Sequence, residues 1–472
     1  MSGIFGTVPH LDLGLPGLAA NSLAGLASAG GADLTHHWAG YVAVGVFVLA
    51  YLLVMGEELT KLKKSGPVIL AAGFIWALMA FVERGTDNAH HVEEAVRHAV
   101  LEYSEILLFL LTAMAYINAM TDRGLFEGLR VWLIQRRFTY RKLFWLTGVT
   151  AFFMSAIFDN LTTALVLGAV VCSVGRDNKR FIQIGCINIV VAANAGGAFS
   201  PFGDITTLMV WQKGVLAFGE FFRLFVPSVV NALVPAILMG LAVPKGLPSS
   251  DEVTTTLKPG AWRVLGLFFI TIATAVSFHS VLGIPPFLGM VTGLGFLQVF
   301  GYYLQRQGRK AQLNASPSES QLGDIVAFDP FRFIERAEWD TLLFFYGVIL
   351  CVAGLGYVGY LSMVSHLLYE GWSPTLANTV LGLLSAVIDN IPIMAAVLQM
   401  QPAMSDGQWL LITLTAGVGG SLLSVGSAAG VGLMGQSQHN YTFLKHLVWS
   451  PAIALGYFAS IWCHLWINSA MF

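Results

Sequence analysis

The chain has 472 residues, of which 56% are hydrophobic and 11% charged, and its formal net charge is −2. Soluble domains carry about 25% charged residues, and nucleic-acid-binding proteins need a basic surface, so both classes are excluded. A disordered chain is excluded as well, because it would lack this apolar content. The composition predicts an all-α polytopic membrane protein.

Twelve apolar segments, each long enough to span a bilayer or nearly so, follow one another along the chain. They cover 38–55, 67–82, 101–120, 143–174, 181–214, 219–243, 262–280, 285–303, 340–358, 375–401, 409–435 and 446–468. The segments 143–174 and 375–401 are too long for one crossing, and each carries Asp-Asn near its middle. Glycine-rich stretches interrupt two others, 181–214 and 409–435.

The second half of the sequence repeats the plan of the first. SAIFDNLTTALVLGAVV (155–171) aligns with SAVIDNIPIMAAVLQMQ (385–401), and ANAGGAFSPFGD (193–204) aligns with AGVGGSLLSVGS (416–427). Each half therefore contains three helices, an Asp-Asn element, a glycine-broken element and a last helix.

Positive charge indicates whether the Asp-Asn elements cross the membrane, since lysine and arginine are enriched in cytoplasmic loops. If each element is a re-entrant hairpin, 21 of the 25 positive residues lie on the side of the 56–66 loop and 4 on the other. If each element spans, the numbers are 12 and 13. The first arrangement is favoured. It predicts two inverted-topology repeats, each with a re-entrant hairpin and a glycine-broken transmembrane helix, and both termini extracytoplasmic.

The predicted organisation has four parts. Residues 1–35 form an N-terminal extracytoplasmic segment, 36–243 the first inverted repeat, 244–261 a cytoplasmic linker and 262–472 the second inverted repeat. Inverted repeats with broken helices are the architecture of secondary transporters, whose site lies at mid-membrane between the repeats. Non-helical backbone at that depth is tolerated only where protein or a water-filled cavity satisfies it.

Acidic residues at the two predicted hairpin tips are the main candidates for an ion site. Asp159 and Asp389 lie in apolar segments, where a carboxylate is costly and is by default a functional hypothesis. The alternative is an aspartate that caps a helix turn, and Asp204 could also be such a cap. The predicted cation- and proton-binding residues are Asp159, Asn160, Asn194, Asp204, Thr206, Thr207, Asp389, Asn390, Ser385, Ser424 and Ser427.

Hard cations such as sodium prefer several oxygen ligands. We expect the sodium ion to be held mainly by Asp159, Asn160, Asn194 and Asp204. The second half has no acid in its break, so the two sites are predicted to be unequal, with the second handling protons in part.

A second acidic set lies at the predicted mouths of equivalent helices. It consists of Glu102, Glu105, Glu338 and Asp340, which form a possible proton or cation relay or are ordinary interfacial charges. An enzyme would need a nucleophile–base pair or a metal cluster on facing helices. The sequence offers neither, and we predict that the protein is not an enzyme.

The motifs FDNLTT (158–163), IDNIP (388–392) and NAGGAFSPFGDITT (194–207) resemble the NhaD family of sodium/proton antiporters. That family belongs to a superfamily with arsenite exporters and divalent anion/sodium symporters, and the resemblance runs from about residue 36 onwards. It implies exchange of cytoplasmic Na⁺ or Li⁺ for external H⁺, with no cofactor besides the transported ions. An arsenite or oxyanion exporter and a sodium-coupled anion symporter are the alternatives, although neither tip nor break contains lysine or arginine.

The resemblance also implies a homodimer in the bacterial inner (plasma) membrane. Its partners would be the lipid bilayer and a second copy, with no nucleic acid and no other protein. It further implies an elevator-like movement of a transport part, 141–243 and 373–468, against a scaffold, 38–120 and 262–358.

Overall fold

The computed structural model describes 33–86, 89–136, 138–176, 178–248, 257–314, 328–437 and 440–472, with the backbone alone for 58–59 and 308–314. Most of the predicted N-terminal segment, and residues 249–256 of the predicted linker, lie outside the described residues. Every regular element in the described part is a helix, and eight helices there are long and apolar enough to cross a membrane. The chain is a polytopic helical membrane protein.

The first half contains ten α-helices and one 3₁₀ helix, Phe218–Leu224, in the described residues. The α-helices are Trp38–Met55, Glu57–Thr60, Ser65–Val82, Ala89–Asp122, Leu125–Gln135, Tyr140–Ser155, Asn160–Val174, Lys179–Gly197, Ile205–Gln212 and Phe225–Ala242.

The second half repeats this order with additional short elements, which include a π-helix, His366–Glu370, and a 3₁₀ helix, Ser469–Met471. The α-helices are Ala261–Leu282, Pro286–Asn314, Pro330–Glu335, Trp339–Val358, Tyr360–Ser365, Pro374–Leu384, Asn390–Met400, Asp406–Gly419, Ala428–Gln436, Phe443–Leu447 and Ser450–Ile467.

Both long Asp-Asn segments are pairs of helices joined by a turn. The first Asp-Asn unit joins Tyr140–Ser155 to Asn160–Val174, and the second joins Pro374–Leu384 to Asn390–Met400. In each unit the aspartate is the N-cap residue of the second helix, and the backbone of Asp159 is extended there. The side-chain capping alternative is therefore confirmed for Asp159, whereas the Asp389 side chain forms no capping hydrogen bond within the described residues.

The glycine-rich segments are likewise two helices each. The first broken helix consists of Lys179–Gly197 and Ile205–Gln212, and the second of Asp406–Gly419 and Ala428–Gln436. Nearly all residues of Lys179–Gly197 and Asp406–Gly419 are buried. Protein therefore surrounds both breaks, and this is the condition under which non-helical backbone is tolerated at membrane depth.

Glycine lets each broken helix approach the neighbouring Asp-Asn unit at matching positions. A Cβ on Gly196 would lie 2.0 Å from the carbonyl oxygen of Phe152, and one on Gly419 would lie 1.9 Å from that of Gly382. Any side chain would clash with backbone there. The aligned sequence segments of the two halves thus make the same contact.

The helices Ser65–Val82 and Trp339–Val358 run side by side in the same direction. Ser65 Oγ donates to Asp340 Oδ1 at 2.5 Å near the start of Ser65–Val82 and Trp339–Val358. Trp76 Nε1 donates to the Leu350 carbonyl at 2.9 Å farther along the same helices. The 56–64 loop and the 328–338 segment therefore lie at one end of the molecule, as the distribution of positive charge predicts.

The position of Glu102 and Glu105 corrects the sequence prediction. Both lie well inside the 34-residue helix Ala89–Asp122, whereas they were expected at the mouth of a helix beginning at 101. The preceding residues contain no proline or glycine and are amphipathic, so the helix extends back to Ala89. Glu338, in contrast, is the N-cap residue of Trp339–Val358, and Asp340 lies in that helix's first turn.

Candidate functional site

Asp159 is held by the first turn of its own helix. Its Oδ1 accepts from the backbone N–H of Thr162 at 2.7 Å, and its Oδ2 accepts from the Thr162 hydroxyl at 2.6 Å. A residue three positions after an N-cap is ideally placed for this bond. Both carboxylate oxygens are therefore engaged locally.

A chain of amide and hydroxyl groups links the first Asp-Asn unit to both broken helices. Asn160 Nδ2 donates to Asn194 Oδ1 at 3.1 Å, and Asn194 Nδ2 donates to Ser427 Oγ at 3.0 Å. Asn194 is fully buried. Ser427 is the N-cap residue of Ala428–Gln436, so this chain ends at the second break.

Asp204 is the N-cap residue of Ile205–Gln212 and accepts from the Thr206 N–H at 3.1 Å. Asn390 Nδ2 also donates to its two carboxylate oxygens, at 3.3 Å and 3.0 Å. Asp389 lies close enough for its charge to interact with that of Asp204. Hydrogen bonds thus join Asp204 to the second Asp-Asn unit, whereas the sequence grouped it with Asp159.

The environment of Asp389 differs from that of Asp159. Within the described structure its side chain forms no capping hydrogen bond, and its backbone N–H donates to the Tyr51 hydroxyl at 3.1 Å. The charge of Lys64 also acts on Asp389, and Lys64 Nζ lies 4.9 Å from the centre of the Phe344 ring. The second turn therefore lies near the helix Trp38–Met55, which contains Tyr51, and near the start of Ser65–Val82, which Lys64 precedes.

The predicted serine and threonine ligands fall into two groups. Ser385 Oγ donates to the Ala416 carbonyl at 2.8 Å, and Thr207 Oγ1 donates to the Ser200 carbonyl at 2.8 Å. Ser424 Oγ contacts Met434 Sδ at 3.3 Å. By contrast, Ser427 Oγ accepts from Asn194 Nδ2 at 3.0 Å, and the Thr206 side chain interacts with Asp204. The buried hydroxyl of Ser155, which was not among the predicted ligands, has no hydrogen-bond partner within the described part of the chain.

The possible relay residues do not form one path in this structure. Glu338 lies close enough to Asp159 for their charges to interact. Glu102 instead forms ion pairs with Lys213 and, at 3.1 Å, with His98 Nδ1. Glu102 and Glu105 line a cavity with Gln212, Lys213 and Gln399, among other residues.

Sequence reasoning missed Tyr51, Lys64 and Thr162. The Asp-x-x-Thr spacing at Asp159 is a recognisable capping signal and would have identified Thr162. Tyr51 and Lys64 lie more than 300 residues before Asp389, and no local pattern relates them to it.

The arrangement suits a hard monovalent cation better than a transition metal. No group of three or more histidine, cysteine, aspartate or glutamate residues able to hold a metal occurs in the described ranges. The polar groups of the site are instead three carboxylates, three asparagine amides and several hydroxyls, namely Asp159, Asp204, Asp389, Asn160, Asn194, Asn390 and neighbouring serine and threonine side chains. Oxygen donors of this kind are those that hard cations prefer.

Comparison with known proteins gives consistent results. A family model described as "Citrate transporter" matches residues 95–417. The chain is 56% identical over 455 residues to the Na(+)/H(+) antiporter NhaD of Alkalimonas amylolytica, covering 94% of each chain. It is 54% identical over 449 residues to the protein of the same name from Vibrio cholerae, with 93% and 94% covered. Sodium/proton antiporter 1 of Arabidopsis thaliana is 31% identical over 474 residues, which cover 96% of this chain and 77% of the plant protein.

Proposed function

This chain belongs to the family of the NhaD Na⁺/H⁺ antiporters, and we propose that it exchanges cytoplasmic Na⁺ or Li⁺ for external H⁺. The observation that carries the proposal is the meeting of Asp389, Asn390 and Asp204 where two helices begin. Asn390 donates to Asp204 alone, and the charges of Asp204 and Asp389 interact, so the two carboxylates together attract a cation. The same carboxylates can instead take up a proton, and this makes exchange possible.

Competition between Na⁺ and H⁺ for one binding site explains how their transport is coupled. A carboxylate that holds Na⁺ cannot hold H⁺, so each ion displaces the other. An empty, charged site crosses apolar surroundings poorly, so movement without cargo is suppressed. The binding residues proposed here are the set predicted from the sequence: Asp159, Asn160, Asn194, Asp204, Thr206, Thr207, Asp389, Asn390, Ser385, Ser424 and Ser427.

The proposed architecture consists of two inverted repeats with re-entrant Asp-Asn units. The two helices of the second unit have 11 residues each, about 16 Å at 1.5 Å per residue. This length is well short of a hydrocarbon core of about 30 Å. The matching contacts of Gly196 and Gly419 support the repeat.

Alternating access would come from movement of the transport part, 141–243 and 373–468, against the scaffold, 38–120 and 262–358. Two hydrogen-bonded contacts among the described residues cross this proposed boundary, Lys213 with Glu102 and Asp389 with Tyr51. Ring contacts such as that of Phe158 with Phe268 cross it as well. We propose an inner-membrane homodimer with both termini extracytoplasmic, and no cofactor besides the transported ions.

An anion transporter is the second candidate because the matching family model is described as a citrate transporter. An anion site needs cationic groups. The charge of Lys64 acts on Asp389 from outside the second turn, but neither Asp-Asn turn nor either break contains lysine or arginine. The carboxylates of Asp204 and Asp389 would repel citrate. The arrangement therefore favours a cation, and citrate and arsenite serve as comparison substrates in the test.

The test uses purified protein in proteoliposomes with an internal pH dye. Na⁺ or Li⁺ should move protons across the membrane, whereas choline, citrate and arsenite should not. Asp159→Asn and Asp389→Asn should lower the Na⁺-driven proton flux. Full activity in both variants, or proton movement driven by citrate instead of sodium, would contradict the proposal.

A further inference from the structure

We infer that the residue three positions after each tip aspartate makes the two carboxylates unequal, so that Asp389 exchanges the cargo and Asp159 is a fixed group. The residue is Thr162 in the first Asp-Asn unit and Pro392 in the second. The inference rests on the proposed function and identifies which carboxylate performs it.

The first carboxylate is fixed by two donors from one residue. Thr162 gives its backbone N–H to one oxygen of Asp159 and its hydroxyl to the other, at 2.7 Å and 2.6 Å. A cation would share the charge of these oxygens with two hydrogen-bond donors already in place. Displacing either donor would also leave a polar group unpaired at the start of the helix.

The second carboxylate lacks both donors for a covalent reason. Position 392 aligns with position 162, and it is proline, which has neither a backbone N–H nor a hydroxyl. The backbone is otherwise alike, because the cap dihedrals are φ −61°, ψ 158° at Asp159 and φ −45°, ψ 145° at Asp389. The side chain at this position therefore decides whether the carboxylate has these two donors.

The surroundings of Asp389 favour exchange. Its charge interacts with those of Asp204 and Lys64, and the backbone N–H groups of Asn390 and Ile391 act on its carboxylate. The Asn390 side chain donates to Asp204 from the adjacent position. Two neighbouring carboxylates repel each other unless a cation or a proton lies between them. Asp159 has an acidic neighbour too, Glu338, but its own oxygens are already satisfied by Thr162.

The experiment introduces at position 392 the two hydrogen-bond donors that Thr162 provides to Asp159. Pro392→Thr introduces both donors beside Asp389. Pro392→Val introduces the backbone N–H alone, because the valine side chain has the shape of threonine but no hydroxyl. Na⁺-driven proton flux is measured in proteoliposomes over a range of Na⁺ concentrations at one alkaline pH. We expect the half-saturating Na⁺ concentration to rise by about tenfold in Pro392→Thr and by less in Pro392→Val.

A second comparison does not depend on how well Pro392→Thr folds. Asp389→Asn should abolish Na⁺-driven flux, whereas Asp159→Asn should retain a measurable fraction of it with a lower maximal rate. Equal loss in these two variants would overturn the inference, as would unchanged Na⁺ affinity in a folded Pro392→Thr protein. If the unaltered protein shows no Na⁺-driven flux, the proposed function itself fails, and this outcome is distinct from the others.

Discussion

Asn194 shows how one side chain makes the two halves chemically different. It connects Asn160 to Ser427, the cap of the second broken helix. Its aligned counterpart is Gly417, and a Cβ there would lie 3.8 Å from Asp204 Oδ2. Because glycine leaves this space open, Asn390 reaches Asp204 directly. In the first half, Asn194 connects the asparagine of the Asp-Asn unit to the cap of the other half's broken helix. In the second half, Asn390 reaches the corresponding cap, Asp204, directly.

The sequence identified most of these residues but not their connections. The Asp-Asn pairs and the polar break residues are visible because polar side chains are rare in apolar segments. The hydrogen bonds between halves join residues 186 and 233 positions apart, and a single sequence carries no signal for such pairs. The ligand roles of these residues remain predictions.

Tyr51 provides a test at the level of a single hydroxyl. Tyr51→Phe removes the acceptor of the Asp389 N–H and leaves a partly buried donor unpaired, at a cost of about 1 kcal/mol. We expect the Na⁺-driven proton flux to fall several-fold, measured per molecule of reconstituted protein. Tyr41→Phe is the control, because Tyr41 lies on the same helix and is 60% exposed. Equal flux in both variants would show that the Tyr51 contact has no role in transport.

At the level of elements, both breaks end in a cap of the same geometry. Asp204 has φ −144°, ψ 150° and Ser427 has φ −143°, ψ 149°. Glycine pairs and helix-capping residue types made the breaks predictable. The upstream extension of Ala89–Asp122 was not predicted, because its amphipathic first turns are too polar to be recognised as part of a span.

The glycines that bring these elements together give a second prediction. Gly196→Ala would place a Cβ 2.0 Å from the Phe152 carbonyl oxygen, so the first broken helix must shift. Overpacking of this kind costs about 1–3 kcal/mol. We expect a lower melting temperature in detergent and a reduced transport rate.

Gly435→Ala is the matched control. Gly435 lies in the second broken helix, and nothing lies within 4 Å of a Cβ placed there. Alanine is intrinsically favoured over glycine in a helix by about 1 kcal/mol, so this variant should be at least as stable as the unaltered protein. A Gly196→Ala protein as stable as the Gly435→Ala protein would contradict the packing argument.

At the level of the whole molecule, two hydrogen-bonded contacts in the described part of the chain cross the proposed boundary between scaffold and transport parts. Lys213 pairs with Glu102 beside one cavity, and Asp389 bonds to Tyr51 at the second turn. The distribution of positive charge predicted that the 56–64 loop and the 328–338 segment share a side, because that rule acts on whole loops. It contains no information on individual contacts, so neither of these two was foreseen.

Charge reversal tests whether the Lys213–Glu102 pair couples the two parts. Glu102→Lys and Lys213→Glu each place like charges together, so each single variant should transport several-fold more slowly. The double variant restores the pairing and should recover much of the flux, giving a coupling energy of about 0.5–3 kcal/mol in a double-mutant cycle. Strictly additive losses would indicate that the two residues act independently.

The shared backbone geometry of Asp204 and Ser427 has a consequence for how such proteins diversify. One main-chain framework accommodates an acid in one half and an alcohol in the other. After gene duplication, a substitution of one N-cap residue could therefore change the transported ion, while the backbone fold of both copies stays the same. Engineering of ion selectivity has the same opportunity, since charge at a cap can be altered without redesigning the polypeptide path.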